Sequence, residues 1–71
     1  MRDVFEALER YMRCNSLINA RSLVAIIEER GVYGRLMSGE IGIGGEDAVR
    51  NAYRLLEHET RAEIARLAAL S

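Results

Sequence analysis

Apolar residues recur at three- and four-residue intervals through most of this chain, and the polar residues between them carry the capping and ion-pair chemistry of helices. Val4, Phe5, Leu8, Tyr11 and Met12 mark one stripe, with Glu6 to Arg10 and Glu9 to Arg13 as i,i+4 pairs on the other side. Asp3 and Glu6 have the spacing of a capping box, so a first helix is expected from Val4 to near Cys14. Asn15, Ser16 and Asn19 supply turn and cap chemistry for a second helix, whose buried stripe is Ala20, Leu23, Val24 and Ile27. Gly31 closes that helix in the left-handed conformation, and Val32 folds back on Ile27.

Residues 33–38 predict one short helical turn ended by Gly39. The segment 40–44 alternates apolar and glycine residues as a strand does, but no second strand exists to pair with it. It reads as a loop with Ile41 and Ile43 turned inward, unless two chains pair these segments across a dimer. From Glu46 the helical spacing returns with Val49, Ala52, Tyr53 and Leu56, and Glu46 and Asp47 place negative charge in the first turn. The polar patch His58, Glu59 and Thr60 interrupts the stripe. Thr60 with Glu63 forms a second capping box, followed by Ile64, Leu67 and Leu70. Either a fifth helix starts here or one long helix continues through the polar patch; the break is the reading preferred by a narrow margin.

The pattern predicts a single all-α domain spanning residues 1–71, a compact bundle of four or five short helices. Its expected core is Phe5, Leu8, Met12, Leu23, Val24, Ile27, Val49, Ala52, Leu56, Ile64 and Leu67. With 71 residues the margin of stability is thin, and a partner subunit would widen it. The 49% hydrophobic and 30% charged composition is that of a folded chain. All ten basic residues are Arg, against eleven acids, for a net charge of −1. That balance lacks the basic excess of a dedicated nucleic-acid binder. One cysteine, acids at positions 3 and 6 near the start, and no long apolar run point to the cytoplasm and to no membrane span.

Four glycines at 39, 42, 44 and 45 precede a helix, the setting in which backbone amides cradle phosphate. Here no Lys-Ser or Lys-Thr follows, and Glu46 and Asp47 occupy the place of the anion, so these glycines are expected to serve loop geometry. His58 has no second histidine to share a metal and reads as a surface residue. Cys14 has no neighbouring histidine to activate it and reads as a small core residue. No catalytic residue, metal, cofactor or small-molecule substrate is expected.

The stretch RLMSGEIGIGGEDAVRNAYRLL, residues 35–56, resembles the second half of a lambda-repressor-type (Cro-like) helix-turn-helix domain. It shows a helix with a Ser-Gly-Glu stop, a loop, and a helix of the form Glu-Asp-x-x-Arg-x-Ala-x-x-Leu. The resemblance covers roughly residues 16–56 and implies a five-helix fold with the recognition helix between Gly31 and Gly39, followed by the glycine loop. It further implies Arg21, Arg35 and Arg50 as DNA contacts. The recognition-helix region is shortened here to Tyr33 through Ser38, with Arg35 its one charged side chain.

Two functions from different classes follow. The first is a small regulatory protein acting by protein–protein interaction, an antagonist or co-regulator of a transcription factor, that binds another protein or itself as a homodimer. Its expected interface is the apolar C-terminal segment with Ile64, Leu67 and Leu70. The alternative is a helix-turn-helix repressor that binds duplex DNA through the three arginines. A structural subunit of a larger assembly is a third reading.

Overall fold

The computed structural model describes residues 2–39 and 45–70. The fold is all-α, with four helices: α1 (Arg2–Arg13), α2 (Leu17–Arg30), α3 (Tyr33–Met37) and α4 (Glu46–Leu70). Within the described residues there is no strand; the expectation for residues 40–44, with Ile41 and Ile43, lies outside them.

Local chemistry sets the boundaries of α2. Ser16, in an extended conformation, accepts a hydrogen bond on its hydroxyl from the Asn19 backbone N–H at 3.1 Å, which satisfies one free donor of the first turn. At the other end Gly31 is left-handed at φ 64°, its N–H bonding to the Glu28 carbonyl while Val32 N–H bonds to that of Ile27. These are the two bonds of a Schellman motif, and Val32 is buried with Ile27 as the spacing predicts. Gly39, at φ 77°, ends α3 in the same conformation.

Helices α1 and α4 both pack on α2. The core comes from Val4, Ala7, Leu8 and Tyr11 of α1, from Ala20, Leu23 and Ile27 of α2, and from Val32, Leu36, Val49 and Ala52. Val24 and Leu56 are half-buried against it. Phe5 and Met12 are not in this core: they stay 39% and 58% exposed. The apolar stripe of α1 is wider than the surface that α2 and α4 offer. The side occupied by Val4, Ala7, Leu8 and Tyr11 is covered, and the Phe5 and Met12 side faces out. The first helix also begins at Arg2, two residues before the expected start, because Asp3 caps from within the first turn by accepting the Val4 N–H at 2.9 Å.

The expected break at Thr60 does not occur. Residues 46–70 form one helix, and the ion pairs Arg61 to Glu57, at 2.7 Å, and Arg66 to Glu63 flank the polar patch. Breaking a helix strands four carbonyls and four N–H groups, of which a capping box satisfies two donors, and no Gly or Pro lies between residues 46 and 70 to force that cost. At 1.5 Å per residue α4 is about 37 Å long, against about 21 Å for α2. It therefore outruns the body, and the molecule measures 45 × 23 × 19 Å. The radius of gyration of 13.5 Å exceeds the ~11 Å of a compact chain of this length for the same reason. Ile64 and Leu67, expected in the core, are instead 60% and 57% exposed on the part of α4 that runs past the core.

Candidate functional site

Every residue from 61 to 70 is exposed, and none belongs to the core, so the last ten residues of α4 form an arm that runs past it. Leu67 and Leu70 follow Val49 and Ala52 by eighteen residues, five full turns, and so lie on the same face of the helix. Val49 and Ala52 are fully buried, whereas Leu67 and Leu70 are 57% and 79% exposed. The face that is covered at Val49 and Ala52 passes through Thr60 and Glu63 and is apolar again, but bare, at Leu67 and Leu70. Ile64 flanks it, and the rest of the arm is Ala62, Ala65, Ala68 and Ala69 with the charged Arg61, Glu63 and Arg66. The three expected interface residues Ile64, Leu67 and Leu70 are brought together here.

The three arginines of the helix-turn-helix resemblance are placed on three different helices. Arg50, on the first half of α4, donates to Asp47 at 2.9 Å. Arg21, on α2, lines a groove with Leu56, Glu59, Thr60, Glu63 and Ile64, so carboxylates stand beside it. Arg35 lies on α3, which is five residues long and has Leu36 buried and Met37 half-buried. The ring of Tyr33, the first residue of α3, packs edge-on against Tyr53 with centroids 4.8 Å apart. Tyr53 in turn donates its hydroxyl to Glu28 at 3.2 Å. Burial and the neighbouring Glu28 charge hold the Tyr53 phenol up at about 12.

The glycines answer to geometry. Gly39 is left-handed, and Gly45, buried at the start of α4, lies against Leu8. Gly42 and Gly44 fall outside the described residues. His58 is an exposed helix residue as expected, and among the described residues no group of three His, Cys, Asp or Glu side chains could hold a metal ion. Cys14 is a correction: it is exposed, not in the core. Helix α1 ends at Arg13, so the periodicity that assigns Cys14 to the stripe stops one residue short, and its carbonyl accepts from Asn19 Nδ2 at 2.9 Å. Among the described residues no helix is long and apolar enough to cross a membrane.

Tyr11 of α1, Asn15 of the α1–α2 turn, and Asn51, Arg54, Leu55 and His58 of α4 line an open cleft of about 480 Å³. The α4 residues follow i, i+3/i+4, i+7 spacing and share one face. That spacing is visible in the sequence, but nothing there sets Tyr11 and Asn15 opposite it.

No family model, curated protein or solved structure matches the chain.

Proposed function

We propose that this chain works by protein–protein association, with residues 61–70 of α4 as the binding element and a second copy of the chain as its first partner. The observation that carries this reading is the continuation of the buried Val49 and Ala52 face into the exposed Leu67 and Leu70. Apolar surface in that arrangement is stabilised when another helix covers it. The arm carries both signs of charge, with Arg66 paired to Glu63 on the arm itself, so two arms meet without a like-charge field between them. Its alanines allow close approach, and Ile64, Leu67 and Leu70 serve as the anchors.

The associated role is regulatory: an antagonist or co-regulator of a transcription factor, in keeping with the resemblance of residues 16–56 to a Cro-like domain. Three observations favour this over reading DNA. The helix between Gly31 and Gly39 has five residues, Arg50 is occupied by Asp47, and Arg21 stands beside Glu59 and Glu63. Base readout normally draws on three or four side chains from a recognition helix.

Sedimentation equilibrium of the wild type and Leu67→Asp tests the association. The wild type is expected to dimerise, and Leu67→Asp to sediment as a monomer with its helical circular dichroism retained. A wild type that stays monomeric up to about 1 mM, where a complex worth about 4 kcal/mol is populated, refutes the self-association. A titration against duplex DNA at two salt concentrations tests the alternative, since phosphate contacts give a salt-dependent affinity.

A further inference from the structure

The cleft between α1 and α4 is built differently from the arm. Its volume of about 480 Å³ lies within the 300–1,000 Å³ typical of small-ligand sites. Its polar groups are two carboxamides, a guanidinium, an imidazole and a phenol, and no carboxylate lines it. The one fixed formal charge at its wall is therefore the positive charge of Arg54.

Two of these groups stand out for what they do not touch. Arg13, Arg30, Arg50, Arg61 and Arg66 each pair with an acid. Arg54 has no hydrogen bond or ion pair among the described residues, and Glu57, the acid three residues on, is taken by Arg61. Tyr11 is 2% exposed, with its ring packed in the core, yet its hydroxyl has no partner among the described residues. No side-chain oxygen there is both buried and unsatisfied, so the Tyr11 oxygen reaches solvent, and the cleft is the opening it lines. Buried tyrosine hydroxyls usually find a protein partner. Phenylalanine would serve the same packing without this group.

We propose that this cleft binds the oxyanion head of a small organic acid or phosphate ester. The guanidinium of Arg54 offers a planar fork of N–H donors matched to two oxygens of a carboxylate or phosphate. The Tyr11 hydroxyl, the carboxamide N–H groups of Asn15 and Asn51, and a ring N–H of His58 supply further donors from both walls. Leu55 contacts the apolar body of the ligand. The cleft holds no activated nucleophile, and the ligand is bound, not transformed. The site lies on Asn51 to His58, before the arm begins, and does not depend on association through Leu67 and Leu70.

Nuclear magnetic resonance titration of the full chain with phenyl phosphate, benzoate and phenol tests the proposal. Either acid is expected to shift the side-chain amides of Asn15 and Asn51 and the ring of His58 saturably, while neutral phenol leaves them in place. The acid that binds more tightly assigns the head group as phosphate or carboxylate. Arg54→Gln is expected to weaken that acid about tenfold, as loss of a charge-assisted fork implies, and Tyr11→Phe to weaken it less. Arg54 is exposed and the Tyr11 hydroxyl unpartnered, so both variants keep the fold; Arg13→Gln, outside the cleft, leaves binding unchanged. Binding that persists undiminished in Arg54→Gln, equal shifts with phenol, or no saturable shift by about 20 mM ligand overturns it.

Discussion

Gly45 approaches Leu8 so closely that a Cβ at position 45 would lie 2.4 Å from Leu8 Cδ2 and 3.3 Å from its Cγ. Leu8 is 5% exposed and belongs to the same core as Val4, Ala7 and Tyr11, so its withdrawal would disturb that packing. The last glycine of the run thus lets the start of α4 close on α1. Gly45→Ala is expected to destabilise the chain by about 1–3 kcal/mol, the usual cost of overpacking. Urea unfolding followed by circular dichroism checks it, and Leu8→Ala in the same chain should recover part of the added loss by opening space.

Asp3 and Arg30 tie the start of α1 to the end of α2. Arg30 donates through Nε at 3.0 Å and Nη2 at 2.6 Å to Asp3 Oδ2. These bonds are the main reason the Asp3 carboxyl lies below its ordinary value of 3.8. A carboxyl depressed on folding adds stability that is present above its unfolded-state pKa and is lost as pH falls through the folded one. Asp3→Asn should therefore lower the melting temperature at neutral pH, with the difference from wild type shrinking below about pH 4. A difference that stays constant from neutral to acid pH would show that the pair does not contribute through its charge.

Tyr53 gives the opposite limb. Its phenol, raised to about 12 by burial and by Glu28, adds stability that is intact below the unfolded-state value near 10 and is lost as pH rises through 12. Ultraviolet titration of the folded chain should show Tyr53 ionising well above the range of a free tyrosine, in step with alkaline loss of helix. In Tyr53→Phe that high-pH step should disappear. Ionisation of Tyr53 near 10 with the fold intact would count against the Glu28 contact.

Truncation after Thr60 removes ten described residues that are all exposed and add nothing to the core. In dilute solution it should change stability by no more than ~0.5 kcal/mol, as for exposed sites generally. The melting temperature of the full chain should rise with protein concentration, because association stabilises by mass action, and that of the truncated chain should not. Collapse of the truncated chain at all concentrations would mean that the arm supports the body directly.

What periodicity and capping chemistry decide was legible in the residues alone: the all-α class, the Ser16 cap, the Gly31 and Val32 stop, the short helix from Tyr33, and burial of Leu23, Ile27, Val49 and Ala52. Each depends on backbone geometry over a few residues, where 3.6-residue spacing and a left-handed glycine act without distant partners. The same local scale suggests a break at Thr60 that does not form, because a capping box marks a possible helix start but does not outweigh the continuous hydrogen-bond ladder it would interrupt. Tertiary structure decided which arc of each stripe is covered. Ala7 and Tyr11 are buried while Phe5 and Met12 are not, and the face of Val49 and Ala52 meets a core whereas the same face at Leu67 and Leu70 meets none. It also set Tyr11 and Asn15 across from Asn51, Arg54 and His58. An apolar stripe records that a side chain gains by leaving water, but the gain is realised only where other elements supply surface, and that depends on the lengths and crossings of helices distant in the chain.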